Sequence, residues 1–187
     1  MGTAGEPVAF AWVESYALAG VEFADSFAHE AVSGADGAFE LTVPEGADRL
    51  HLSYGGGSGT ALRTVWFDVR GEEGPTLELE RRGGEVRVHL PGVPQPGGPG
   101  VEQVFLFQNG VALPPSVLSQ WARAHGVALG PSAELAVPQL APGQYSACLL
   151  TGEERLAVDR APGAFAPGPG CRSGYLDAGG LLELDLR

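Results

Sequence analysis

The sequence predicts an all-β protein built from two tandem antiparallel β-sandwiches, with one short helix inserted in the second. Apolar and polar residues alternate in several short segments, which is the period of a strand buried on one face. The 29 glycines and 15 prolines fall mainly between those segments, where they act as turn residues. The run Arg81-Arg82-Gly83-Gly84 interrupts the pattern near the middle of the chain. We therefore expect two domains, residues 1–82 and 83–187.

The most regular stretch of the first half predicts a β-hairpin. Asp36-Gly37 is a turn pair, and the alternation that follows in residues 39–43 places Phe39, Leu41 and Val43 on one face. Pro44, Glu45 and Gly46 then turn the chain, and residues 50–54 restart the same period. Further strands of this half are expected at residues 7–13, 62–69 and 77–80.

The second half repeats this order of elements. Residues 85–90 present Val86, Val88 and Leu90 inward, and the order of strand, proline, glycine turn and strand recurs in residues 133–150. A helix is expected at residues 116–125, because Ser116 can cap it and Gly126 can end it. The other strands of this half are expected at residues 101–107, 175–176 and 182–186.

Composition excludes several classes of partner and chemistry. A formal charge of −12 repels phosphate backbones, so nucleic-acid binding is not expected. No apolar run approaches the ~20 residues of a membrane-spanning helix, and we expect no membrane insertion. The sequence contains no lysine, which rules out Schiff-base chemistry and Gly-Lys phosphate loops.

The run DGAFELTVPEGADRLHLSY, residues 36–54, resembles the central motif of carboxypeptidase regulatory-like (transthyretin-like) domains. It is also similar to collagen-adhesin B-type repeats. The resemblance implies a small, seven-stranded, Ig-like sandwich that serves as an accessory, spacing or binding module in secreted or envelope proteins. Many B-type repeats carry a lysine isopeptide crosslink, which this lysine-free chain cannot form. Nothing catalytic is implied.

Aromatic residues are the candidate ligand-binding residues. Trp66 alternates with Val65 and Phe67 and so lies on the opposite face of its strand, and Trp12 lies opposite its own apolar neighbours. If that face is open to solvent, Trp66 with Tyr54 or Tyr16 can stack on a sugar or dock a peptide. If both faces are covered, these rings belong to the core.

Cys148 and Cys171 form a candidate disulfide in the second half. A bridge between them closes a loop of about 24 residues and contributes on the order of 3 kcal/mol in an oxidising compartment. The alternative is a pair of buried free thiols. A metal site is less favoured, because two cysteines without a nearby histidine pair do not complete a tetrahedral shell.

Neither catalysis nor a bound metal is expected, and no cofactor is required. Ser33, Ser53 and Ser58 are available nucleophiles, but none lies in a nucleophile elbow. His51 and His89 each lie on the polar face of a predicted strand and are expected to be solvated. A calcium site in the loops would draw on Glu45 and aspartates, but Asp36, one of them, is better explained as a turn residue. The other aspartates of that hypothesis are Asp25, Asp48 and Asp68.

These observations predict a non-catalytic structural or binding accessory module of a larger bacterial exported or surface protein. One alternative is a carbohydrate-binding module that uses exposed aromatics. Another is a subunit of a surface fibre that associates with itself through strand edges. The expected location is extracellular or in the cell envelope as part of a longer protein, or cytoplasmic if this is the complete chain. The protein or glycan partner stays open.

Overall fold

The computed structural model describes residues 6–17, 28–43, 45, 47, 49–55, 60–69, 74–90, 103–113, 134–150, 154 and 166–186. Strands account for nearly all the regular structure in that part of the chain, so the prediction of an all-β protein is confirmed. The chain divides into two compact units, Met1–Gly83 and Gly84–Arg187. This boundary lies one residue beyond the expected one. The helix expected at 116–125 lies outside the described residues.

The first unit contains one four-stranded antiparallel sheet. Its strands are β1 (Trp12–Ala17), β2 (Ala28–Val32), β3 (Arg49–Tyr54) and β4 (Arg63–Asp68). They lie in the order β2-β1-β3-β4. The central strand β3 pairs with β1 on one side and with β4 on the other, which places it in the middle of the unit's core.

The inner face of this sheet is covered by two segments that form no strand, although Leu79 at the end of the second segment is an isolated bridge residue. Leu50 and Leu52 of β3 are almost fully buried and contact Leu41 and Leu77. Leu41 comes from residues 38–43, and Leu77 comes from residues 74–80. The segments at 39–43 and 77–80 were expected to be strands, and the first was expected to pair with residues 50–54. Both expectations are wrong, because alternation identifies a buried face but not a hydrogen-bonding partner.

The second unit contains two sheets. The four-stranded sheet has the order β10-β9-β6-β7, and the three-stranded sheet has the order β11-β5-β8. The strands of the two sheets are β5 (Gly84–His89), β6 (Gln103–Gln108), β7 (Val111–Ala112), β8 (Glu134–Leu140), β9 (Gly143–Leu150), β10 (Cys171–Leu176) and β11 (Leu181–Asp185). β8 and β9, expected to pair as a hairpin, lie in different sheets. β11 pairs parallel to β5, so the expectation of a purely antiparallel sandwich is wrong for this pair.

The two sheets of the second unit pack face to face. A Cβ on Gly84 of β5 would lie 2.8 Å from Leu176 Cδ1 of β10, and a Cβ on Gly174 of β10 would lie 2.6 Å from Leu182 Cδ1 of β11. A larger residue at Gly174 requires the Leu182 side chain to move, whereas at Gly84 the backbone oxygen of Gly180, 2.7 Å from the added Cβ, would also have to shift. The inner face of β5 continues through Val86 and Val88, which are fully buried. This unit is therefore a β-sandwich.

Candidate functional site

Of the four aromatic residues that the sequence singles out, Trp12, Tyr54 and Trp66 do not form one surface. Tyr54 lies on the inner face of the first sheet, is 4% exposed, and packs with Val13 and Leu79. Trp12 and Trp66 lie on the outer face of that sheet, on β1 and β4, with β3 between them. Tyr54 therefore cannot join either tryptophan in stacking on one ligand.

The outer face of the first sheet carries a buried polar layer. Glu14, Ser53 and Thr64 lie directly opposite one another on β1, β3 and β4. His51 precedes Ser53 by two residues, and its ring meets Trp66 edge to face, with centroids 5.2 Å apart. All four polar side chains are at most 4% exposed. The expectation of solvated histidines is therefore wrong for His51, and Trp12 and Trp66 on the same face are half-buried.

The two candidate serines in the described part of the first unit, Ser33 and Ser53, are both buried. Ser33 Oγ accepts a hydrogen bond from Ala11 N at 2.8 Å and donates one to Val8 O at 2.6 Å. It thereby fixes the turn in front of β1. Ser53 Oγ is buried and has no hydrogen-bond partner within the described ranges. Ser58 lies outside them. Ser33 borders a cavity of about 170 Å³, but its hydroxyl is already engaged by the two hydrogen bonds of the turn.

Sequence reasoning missed one exposed aromatic residue in this turn. Phe10 was assigned to a strand at 7–13, but β1 begins only at Trp12. Phe10 has a positive φ of 58° and is 73% exposed. The left-handed conformation is costly for a residue with a bulky side chain, and it turns the ring away from the core. No residue pattern would have signalled this, because Phe10 continues the apolar run of PVAFAWV.

A groove opens between the two segments that cover the first sheet. Its volume is about 620 Å³. One wall is formed by residues 36–41 and Val43, the other by residues 74–77, and Leu50, Phe67 and Val69 are among the lining residues. Val43, which alternation assigned to the buried face, is 45% exposed at this groove. This groove is the candidate binding feature of the first unit that the sequence did not predict.

Tyr54 is a buried ionisable residue whose titration makes the stability of the first unit depend on pH. Burial raises the pKa of the Tyr54 phenol above its usual 10.0, and the neighbouring Arg63 guanidinium, which hydrogen-bonds to it, opposes part of that rise. Arg63 is itself held in an ion pair with Glu80. A phenol that stays protonated suits this position, because the ring packs among apolar side chains.

We expect the first unit to lose stability as pH rises above about 10. Native Tyr54 keeps its proton where the unfolded phenol loses it, so the native state binds more protons there and the free energy of unfolding falls with pH. At pH values below the pKa of Tyr54 in the unfolded chain, the stability that the protonated phenol contributes is fully present. Urea unfolding at a series of alkaline pH values measures the slope, which should be flatter in Tyr54→Phe. Tyr175→Phe is the control, because Tyr175 is exposed and should leave the slope unchanged. Equal slopes in wild type and Tyr54→Phe would contradict the prediction.

Charged residues cover the outer face of the three-stranded sheet in the second unit. Arg87 lies among three carboxylates: its Nη2 is 2.6 Å from Glu85, its Nε is 3.2 Å from Glu134, and its Nη1 is 3.9 Å from Glu183. The hydrogen bonds that Arg87 donates to the Glu85 carboxylate are the main reason that the Arg87 pKa is raised. His89 lies 3.5 Å from Glu134 and 3.7 Å from Glu183. This is a solvated network of ion pairs.

No group of three or more metal-ligating side chains comes together within the described residues. Asp36, weighed as a calcium ligand, accepts a hydrogen bond from Ala38 N at 3.0 Å and so stabilises its own turn. Asp25 and Asp48 lie outside the described ranges. Within the described part of the chain, no helix is long and apolar enough to cross a membrane.

A disulfide joins two neighbouring strands of the second unit. Cys148 of β9 and Cys171 of β10 are directly opposite in the register, with Cα atoms 4.2 Å apart. Cys148 is fully buried in an apolar cluster with Phe107 and Ala112. The bridge therefore combines a crosslink between strands with packing on the outer face of the four-stranded sheet.

Comparison with known proteins gives only a distant structural likeness. No model of a known protein family matches the chain, and no curated protein matches it. The TIE protein of Bacillus anthracis is similar with a TM-score of 0.31 and 12% identity over 99% of this chain, which spans 32% of that protein. GBS52, the minor pilin of Streptococcus agalactiae, has a TM-score of 0.30 and 11% identity, over 96% of this chain and 82% of its own. Likeness at this level transfers no role to the present chain.

Proposed function

We propose that the chain is a non-catalytic structural or binding accessory module of a larger bacterial exported or surface protein. The observation that carries this proposal is the disulfide between Cys148 and Cys171. Disulfides persist in oxidising compartments and are rare in the cytosol, where thiol systems keep cysteines reduced. A crosslink between directly opposed strand residues suits a module that works outside the cytosol.

The arrangement of the polar side chains also favours a structural or binding role over catalysis. Glu14, His51 and Ser53 are of residue types found in hydrolytic sites, but all three are buried in a sheet face. A catalytic base must come within hydrogen-bond reach of its substrate, which this position does not allow. A carbohydrate-binding role for Trp12 and Trp66 is less favoured, since both residues are half-buried and the polar side chains of Glu14, His51 and Ser53 on the same face are buried.

The redox state of the two cysteines in the native parent protein tests the proposal. Source cells are lysed in the presence of an alkylating reagent and separated into secreted, envelope and cytosolic fractions. Mass spectrometry without reduction then identifies the peptides that contain Cys148 and Cys171. We expect a linked pair in the secreted or envelope fraction. Two alkylated thiols in the cytosolic fraction, or turnover of any compound in a substrate panel by the isolated chain, would overturn the proposal.

A further inference from the structure

The backbone on both sides of the groove in the first unit is open to a new partner. Among the described residues, no backbone N–H or C=O of residues 39–43 makes a hydrogen bond, and the same is true of Thr76 and Glu78. The side chains of these segments are nevertheless anchored, because Phe39 and Leu41 pack on the core. Polar backbone groups at the edge of a sheet layer are a template for a further strand.

The groove has the size of a short missing strand. Adjacent strands are ~4.8 Å apart, packed sheets are ~10 Å apart, and a strand rises ~3.3 Å per residue, so one residue fills roughly 160 Å³. A volume of about 620 Å³ therefore accommodates on the order of four residues. Leu50, Phe67 and Val69 contribute apolar surface, which suits a segment with alternating apolar side chains.

The charge around the groove indicates what kind of segment binds. Among the described lining residues there are two carboxylates, Asp36 and Glu40, and no arginine, and the exposed Glu78 follows directly on the lining residue Leu77. A cationic residue next to the apolar segment would therefore be attracted. A second copy of this chain is a poor occupant, because its formal charge is −12 and it contains no lysine.

We propose that this groove binds an extended segment of a partner protein, with alternating apolar residues and a flanking lysine or arginine. The segment adds a strand between residues 39–43 and residues 74–78. The inference rests on the proposed function, because it identifies the ligand chemistry of a binding module. Main-chain hydrogen bonds to the open backbone supply affinity, and the apolar lining with Glu40 selects the sequence.

The test uses the full chain labelled with ¹⁵N and a designed peptide. In this peptide three valines are separated by threonines and flanked by an arginine at each end. We expect its titration to shift the amide signals of residues 39–43 and 76–78. A first matched peptide carries glutamate instead of arginine at each end, which should weaken binding about two- to five-fold. A second carries N-methyl groups on the valines, which should abolish binding because they remove backbone hydrogen-bond donors.

Two pairs of variants separate groove binding from non-specific attraction. Val43→Asp removes an apolar contact and should weaken binding about ten-fold, whereas purely electrostatic association would strengthen on the added charge. Val32→Asp is its control, because Val32 is 58% exposed on the edge strand β2, away from the groove. Glu40→Arg should reverse the preference between arginine and glutamate ends. Glu30→Arg, an exposed change on β2, should leave that preference unchanged.

Three results would overturn the inference. These are unshifted amides at residues 39–43, equal weakening by Val43→Asp and Val32→Asp, or the same amide shifts when unlabelled chain replaces the peptide. The last result would make a second copy the occupant. None of the three affects the redox test of the cysteines, so failure of the groove is distinguishable from failure of the accessory role.

Discussion

Replacing Tyr145 by alanine is expected to lower the free energy of unfolding of the second unit by about 3–5 kcal/mol. Tyr145 is fully buried near the start of β9, in the interior of the sandwich. Truncation of a buried aromatic ring removes its packing and leaves a cavity that the surrounding sheets fill only partly. Urea unfolding, followed through the NMR amide signals of β9 and β10, measures the change.

The Tyr145 hydroxyl adds a second reason for a large effect. It donates a hydrogen bond to Ala141 O at 2.7 Å and accepts one from Gln108 Nε2 at 2.6 Å. Gln108 is itself fully buried, so loss of the phenol leaves polar groups of β6 and of the β8–β9 turn less well satisfied. A tyrosine that bonds back to the preceding corner is a recurrent feature of Ig-type sandwiches. Here it fixes the point at which the chain crosses from one sheet to the other.

Two further variants divide the expected loss into its parts. Tyr145→Phe keeps the ring and removes only the hydroxyl, which should cost about 1–3 kcal/mol. Tyr175→Ala removes a ring that is 63% exposed on β10 and should change stability by less than about 0.5 kcal/mol. A loss of the same size in Tyr175→Ala and Tyr145→Ala would mean that the sandwich interior does not centre on Tyr145.

Alternation of apolar and polar residues within one segment predicts the position of some strands well. β5 follows the alternation of residues 85–90, with Val86 and Val88 buried and Arg87 and His89 on the charged face. β4 likewise follows the alternation expected at 62–69. In β5 the side-chain period also decides which face is buried, whereas in β4 the outward-facing Thr64 is buried as well.

Pairing could not be predicted, because it depends on residues distant in sequence. Residues 39–43 and 50–54 carry the hairpin pattern, yet β3 pairs with β1 and β4. Phe39 and Leu41 do pack on the core as the alternation predicts, but their segment makes no hydrogen-bonded strand pair. The groove was missed for this reason, since an expected strand pair leaves no gap. The alternation of His51 and Ser53 predicts a solvated outer face for β3, and nothing in that pattern reveals that both side chains are buried.

Reduction of the disulfide is expected to lower the free energy of unfolding of the second unit by about 3 kcal/mol. The sequence separation of Cys148 and Cys171 is 23, and the crosslink restricts the unfolded chain in proportion to the logarithm of the loop that it closes. The bridge also holds the edge strand β10 against β9, so its loss should expose amides of β10 to hydrogen exchange first. Urea unfolding with and without dithiothreitol measures the loss.

The first unit provides an internal control for this experiment, because both cysteines lie in the second. Its unfolding transition, followed through the amides of β1 and β3, should be unchanged by the reductant. A double variant, Cys148→Ala with Cys171→Ala, should be less stable than the wild type in the absence of dithiothreitol. Its free energy of unfolding should not change when dithiothreitol is added. Its loss should exceed that of the reduced wild type, because Cys148 is fully buried beside Phe107 and the smaller side chain leaves a cavity. If reduction leaves the second unit as stable as before, the crosslink serves no stabilising role, and the strongest support for a module adapted to an oxidising compartment is lost.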